Sequence, residues 1–506
     1  MRSRWEAWPW LPAGLVAVVG ALAFVAVRPG VGDLFAAQAR QSAASNGVGL
    51  TYWFSWYAGG SAPGGYSLLT PPLSALFGAA LLGAISTVAL TPLVWKLAHG
   101  TRRPAAATWI ATVAAGISLW SGRIPFAVGC VAATATLIAV RARHRLWGTA
   151  GAALTVALSP VSAALLLPGL VGGFVASRTH RSVIAWTALA SVAMLSVITI
   201  AFGAPGPQGF SPDQAMVACA VLAGFLCTRP SRPVSVVVLV SLAVCPILAL
   251  VPNSFGSNFE RMIWICLPPA VIGTARAGRP VVIAAVLAAL GWAGYVTTTE
   301  LVVAAKPPST TAYYAPLTGR LRELGGLANY RLEVVPDGTH TAAYALLNYA
   351  MLARGYETQA ENAYNKALDS APQLDSARYR AWLDDNAVGY VAIDNSPITT
   401  NAEYDLVAGT PPSYLKLLWH NANWQLFEVV HPTPIVSAPA TIVDADQSNL
   451  ELSIPRAGTV LVRVRWSRYL TAAGSAETEP AELKPTSDGW TALTTQRPGS
   501  YSLFGR

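Results

Sequence analysis

The sequence predicts a polytopic α-helical membrane domain, followed by an extracytoplasmic α/β domain and a small β-sandwich-like domain. Three observations carry this. Charged residues make up 12% of the chain and hydrophobic residues 53%, whereas a soluble protein carries about 25% charged residues. The charge is also unevenly spread. Long apolar runs fill residues 11–303, and mixed polar sequence fills 305–506. Finally, Lys and Arg of the first part sit in short loops between the apolar runs, as topology determinants do.

A membrane helix takes about 20 apolar residues. The runs at 11–28, 71–95, 105–120, 124–140, 146–158, 161–176, 182–203, 214–228, 233–251, 260–275 and 280–303 give eleven spans. The basic N-terminus and the run after it resemble a signal peptide, but no small-residue cleavage site follows, so the run reads as a retained first helix. Ser159-Pro160 marks either a kink in one helix or the turn of a hairpin. With the N-terminus in the cytoplasm and a hairpin, fourteen basic residues fall in inner loops and four (Arg28, Arg40, Arg123 and Arg261) in outer loops. A single kinked helix would invert every later loop. The positive-inside rule therefore favours the hairpin, a multi-pass protein of the cell membrane, and an external position for residues 305–506.

The domains expected are 1–304, with a long outer loop at 30–70, then 305–431 and 432–506. In the second, Tyr330–Val335, Ala387–Ile393 and Trp424–Val430 read as strands, and His340–Ala353 and Gln359–Leu368 as helices. In the third, Leu450–Ile454, Thr459–Trp466 and Tyr501–Phe504 are short strands separated by Pro and Gly. All five cysteines lie in the apolar part. None has metal-ligand spacing, and the polar part can form no disulfide of its own. The net charge of +9 is accounted for by loop position, so nucleic acid is not an expected partner.

The first 300 residues hold five acids: Glu6, Asp33, Asp213, Glu260 and Glu300. Asp33 opens the long outer loop. It either caps a helix or serves as a base that takes a proton from an acceptor hydroxyl. Downstream, Tyr52, Trp53, Phe54, Trp56 and Tyr57 precede a glycine-rich turn; such aromatics suit a lipid–water boundary. Arg123 occupies a short outer turn, where it either anchors the interface or holds a lipid phosphate. In Ser254–Arg261, Ser257 or Asn258 is expected to cap a helix whose N-terminus suits phosphate. Arg261 adds a cation there and Glu260 orients it, or the two form a local ion pair. His340, in D-G-T-H-T, is a lone histidine near a strand end. No nucleophile elbow or phosphate-binding glycine loop is present.

In order, these features resemble the GT-C superfamily of membrane glycosyltransferases. The matching residues are Gly32-Asp33, the run Tyr52–Pro72, Ser121-Gly122-Arg123 and Ala157–Ser162. The C-terminal part resembles the outer domains of actinobacterial polytopic proteins of this type, through Tyr330–Pro336, His340, Ala353–Gln359 and Tyr379–Ile393. The resemblance implies a polyprenyl-phosphate sugar as donor and Asp33 as base. The first functional reading is then transfer to a cell-envelope glycan or lipid at the outer face, with Arg123 and Arg261 holding the donor phosphate. Many such proteins carry a second acid in the first outer loop. This sequence has one, so a divalent metal is not supported by a ligand cluster, and no cofactor is expected with certainty. A transporter or flippase of lipid-linked substrates, and a non-catalytic envelope assembly protein, are the alternatives. Against a carrier, the apolar segments hold almost no ionisable residue and show no internal repeat.

Overall fold

The structure is a computed structural model that describes residues 9–54, 59–203, 206–355, 364–369, 374–474 and 481–506. It divides into two compact units. The first comprises Met1–Ala37 and Gly65–Val302, the second Gln38–Gly64 and Val303–Arg506.

The first unit is helical: α1 (Leu11–Val27), α2 (Gly32–Ser45, whose second half belongs to the other unit), α3 (Thr70–Phe77), α4 (Ala79–Ala98), α5 (Pro104–Trp120), α6 (Ile124–Arg141), α7 (Arg145–Leu158), α8 (Pro160–Ala176), α9 (Arg181–Phe202), α10 (Pro212–Cys227), α11 (Arg232–Leu250), α12 (Leu267–Thr274) and α13 (Arg279–Ala304). Helices α4, α6, α11 and α13, and α9 with the turn before it, are each long and apolar enough to cross a membrane. Helices α1 and α2 pass the same test only as a pair bent by 72°, and α5, α8 and α10 are apolar but shorter. The protein is a membrane protein with a helical membrane domain and a β-containing domain.

Local chemistry sets the breaks. Pro begins or nearly begins α5, α6, α8, α10 and α11, where its missing N–H is no loss. The apolar run 71–95 is two helices, because Gly78 between them has φ +84°, a conformation open to glycine. Between α7 and α8, Ser159 is extended and its side chain accepts the Ser162 N–H, which ends one helix and caps the next. The run 260–275 begins as a π-helix, Met262–Cys266, before α12.

The second unit contains a mixed sheet, β1 (Arg331–Val334), β2 (Val388–Asp394), β3 (Leu415–His420) and β4 (Trp424–Val429), in the order β1-β2-β4-β3 with β1 and β2 parallel. Helix α14 (Ala315–Glu323) packs through Leu317 and Leu321 with Tyr390, Ala392 and Leu426, while α17 (Ser376–Asp385) and α18 (Ala402–Gly409) pack through Tyr379, Leu383 and Val407 with Val391, Ile393 and Phe427. Alternate residues of β2 thus face two helical layers. Two one-turn helices complete the numbering, α15 (Ala342–Ala345) and α16 (Lys366–Asp369).

Two further sheets are built from β5 (Thr441–Ala445), β6 (Asn449–Ile454), β7 (Gly458–Arg465), β8 (Leu470–Gly474), β9 (Ala481–Pro485), β10 (Trp490–Thr495) and β11 (Gly499–Gly505). Their orders are β7-β10-β9 and β5-β6-β11-β8. Leu450, Leu452, Val460, Val462, Leu493 and Leu503 form their common core.

The helix expected over His340–Ala353 is only α15. Its C-terminal part pairs instead with the edge of β1, where Leu332 N–H donates to Met351 at 2.8 Å and Ala353 N–H to Leu332 at 2.9 Å. Sheet pairing supplies the backbone bonds that a longer helix would have made. The helix expected over Gln359–Leu368 lies partly outside the described residues.

Of the aromatic stretch of the long loop, Tyr52, Trp53 and Phe54 are core residues rather than markers of a lipid boundary. Trp53 is fully buried against Ala39, Ala43, Val48, Ala343 and Leu347 in the second unit. Tyr52 and Phe54 join the core of the two β-sheets. The Tyr52 hydroxyl donates to Arg465 O at 2.5 Å, and burial pushes its pKa well above the usual phenol range. Trp56 and Tyr57 lie outside the described residues.

Candidate active site

The site forms where the long loop after α1 begins. Helix α1 ends at Arg28, whose left-handed backbone (φ 47°) donates its N–H to Phe24 O. Pro29 and Gly30 turn the chain, and α2 starts with Asp33 in its first turn, where the helix dipole favours a carboxylate. The turn Ser121-Gly122-Arg123 between α5 and α6 packs directly on this start. Gly122 has φ +75°, and a Cβ there would lie 2.5 Å from Leu34 N. Only glycine permits this approach. Ser121 Oγ is 2.7 Å from Thr297 Oγ1, which ties the same turn to α13 one helical turn before Glu300.

Arg123 is thereby held between two carboxylates. Its Nε lies 3.4 Å from Asp33 Oδ2 and its Nη2 donates to Glu300 Oε1 at 2.8 Å. The arginine side chain is 8% exposed, while Asp33 and Glu300 are 29% and 34% exposed. The acids therefore keep an open side, and the cation lies behind them. Its guanidinium is also 5.5 Å from the Trp264 ring, which packs edge-on against Trp292.

Arg261 lies within electrostatic reach of Asp33, Arg123 and Tyr66. Its guanidinium stands 5.1 Å from the Phe126 ring centroid, and it forms no ion pair or hydrogen bond among the described residues. Glu260 interacts electrostatically with both arginines. It is buried, and its Oε1 has no hydrogen-bond partner among the described residues. A buried polar atom of this kind is costly unless something pairs with it.

Ser257 and Asn258 do not cap a helix. They lie inside a 3₁₀ turn, Gly256–Phe259, that has no side-chain cap. Ahead of that turn Asn253 forms an Asx turn, its Oδ1 accepting the N–H groups of Phe255 and Gly256 at 3.0 and 2.7 Å. The Asx turn reverses the loop, and the 3₁₀ turn then runs straight on through helical Glu260 and Arg261 into the π-helix. Ser257 Oγ instead accepts from Gln208 Nε2 at 3.3 Å. His340 belongs to the second unit, exposed and left-handed (φ 59°). It sits in a turn where Asp337 Oδ1 accepts the Thr339 N–H and hydroxyl, both at 2.8 Å. Trp53 is a core residue of that unit.

Sequence reasoning gave Glu300 no role in the site. It lies 267 positions after Asp33 in number, at the end of an apolar run, and its only signal was the rarity of acids in this part of the chain. Among the described residues, no group of three or more His, Cys, Asp or Glu side chains is placed to share a metal ion. The carboxylates of Asp33 and Glu300 face a guanidinium, so this pair does not fit a metal.

No family model matches the chain, and no curated protein matches it. Among solved structures, the chain is similar to the cryo-EM structure of arabinofuranosyltransferase AftD from mycobacteria. The identity is 16% over 90% of this chain and 42% of that one, with a TM-score of 0.47. Two structures of a mutant of that enzyme are also similar. Class 2 shows 14% identity over 100% of this chain and 60% of that one, with a TM-score of 0.45. Class 1 shows 15% identity over 90% and 43%, with a TM-score of 0.43. The chain thus spans between 42% and 60% of the length of the structures it is similar to.

Proposed function

We propose that the protein is a membrane glycosyltransferase that moves a sugar from a polyprenyl-phosphate donor to a cell-envelope glycan or lipid at the outer face. The observation that carries this reading is the gathering of charge. Asp33, Glu260 and Glu300, three of the five acids in the first 300 residues, meet Arg123 and Arg261 at one end of the helices. Charge in an apolar helical domain is costly and marks function.

In this reading, Asp33 accepts the proton of the acceptor hydroxyl. The hydroxyl oxygen attacks the anomeric carbon of the donor sugar, and the bond from that carbon to the phosphate oxygen breaks. Polyprenyl phosphate leaves with the electron pair. Arg261, with no carboxylate paired to it among the described residues, contacts the phosphate. Arg123 orients Asp33 and adds positive charge beside the leaving group. Ser257 and Asn258 lie in the loop that carries Arg261.

The test uses membranes from cells that express the chain, supplied with labelled polyprenyl-phosphate sugars. Transfer by the wild type, lost in Asp33→Asn at equal protein level, is the expected result. Equal transfer by the two overturns the reading.

A further inference from the structure

We propose that an apolar cavity inside the first unit binds the acyl chain of an anionic phospholipid, with the headgroup on Arg102 and Arg276, at the opposite end of the helices from Asp33.

The cavity has a volume of about 680 Å³ and lies among α4, α5, α6, α8, α11 and α12. That is within the roughly 300–1,000 Å³ of ligand pockets. Its walls are mostly apolar, with Leu90, Leu137, Leu165, Val237 and Leu267 among them. Gly169 of α8 also lines it, and a Cβ added at Gly169 would meet nothing within 4 Å. The space beside α8 is therefore genuinely open.

The two ends differ. At one, Phe126, Ser162 and Met262 are buried; at the other, Gly100, Arg102 and Arg276 are exposed. The exposed end is remote from the candidate active site. Arg102 precedes α5 and Arg123 follows it, so the 17 residues of that helix separate them by about 25 Å at 1.5 Å per residue. Arg276 and Glu300 likewise lie towards opposite ends of α13.

Charge selects the occupant. The Arg102 guanidinium makes no hydrogen bond or ion pair among the described residues. Arg276 donates Nη1 to Pro230 O at 3.1 Å, and among the described residues the rest of its fork makes no other side-chain bond, which leaves it to phosphate. No Asp or Glu occurs between residues 34 and 212, 214 and 259, or 261 and 299, so the loops around this end supply no competing carboxylate. An apolar slot with two cations at its open end matches one lipid chain below an anionic headgroup. Its closed end reaches Phe126, the ring that carries Arg261.

The test is native mass spectrometry of the full chain in detergent, titrated with phosphatidylglycerol or phosphatidylcholine. The wild type is expected to retain one phosphatidylglycerol, with about a thirtyfold preference from two arginines. Gly169→Leu fills the slot and should lose this lipid while melting as the wild type does. Arg102→Gln combined with Arg276→Gln should bind the two lipids alike. Retention of phosphatidylglycerol by Gly169→Leu at the wild-type level overturns the proposal. So does equal retention of both lipids by the wild type, or retention of neither.

Discussion

Glu300 donates no bond but receives one: Arg123 Nη2 reaches its Oε1 at 2.8 Å, across 177 positions of chain. The same guanidinium stands 3.4 Å from Asp33. Removing the Glu300 charge leaves Asp33 as the one carboxylate within ion-pair distance of Arg123 among the described residues. Glu300→Gln should lower transfer without loss of folded protein. Groups in one such network couple by about 0.5–3 kcal/mol. A double-mutant cycle of Glu300→Gln with Arg123→Lys, read from rates, should show coupling in that range; additive effects would show that the contact does not matter to the reaction.

Asp33→Asn keeps the size of the side chain and removes its basicity. Loss of a general base costs about 10²–10⁴ in rate. Initial rates at saturating donor should fall by that factor, with the donor KM little changed. A change confined to KM would reassign Asp33 to binding.

Gly122→Ala attacks the packing that brings Arg123 to Asp33. Its Cβ would lie 2.5 Å from Leu34 N, at a φ of +75°. Both the clash and the backbone strain oppose it, so the variant should melt lower and transfer more slowly. Gly116→Ala, whose Cβ meets nothing within 4 Å, is the control and should resemble the wild type.

Arg354 in the second unit bonds Glu333 Oε1 through Nε at 2.9 Å and contacts both Glu333 and Glu403 through Nη2. The two acids are 0% and 2% exposed, and Tyr379 donates to Glu403 at 2.8 Å. Arg354→Met leaves buried carboxylates facing each other without their cation. Breaking such a group costs about 3–5 kcal/mol. Chemical unfolding of the full chain, followed at the second unit, should show a loss of that size.

The proposed orientation places the second unit outside the cell. Ser413 is exposed there, and all five native cysteines lie before residue 267. In a Cys227→Ser background, Ser413→Cys should react with an impermeant maleimide on intact cells. Reaction only after lysis would invert the topology.

Some of this was legible residue by residue. Hydropathy locates helices because a membrane helix must satisfy its own backbone and bury apolar side chains, both of which depend on local sequence. Alternation located β1, since side chains on a strand change face at every step; short apolar runs located β2 and β4, and Pro and Gly between short runs located β6, β7 and β11. The rarity of acids singled out Asp33 because charge among apolar helices is costly, and Glu260 was singled out by its place beside Arg261.

Other features depended on partners distant in sequence. Trp53 reads as an interfacial aromatic, and only its packing on Ala343 and Leu347 shows it to be core. His340–Ala353 has helical spacing, yet Leu352 pairs with Leu332, an edge that local propensity does not encode. Glu300 looks like the polar end of a span until Ser121, Thr297 and Gly122 bring α13, α2 and the α5–α6 turn together. Composition and periodicity report what each segment does with its own backbone and its solvent. Which carboxylate meets which guanidinium is decided by close approach between helices far apart in the chain, at a turn where only glycine fits.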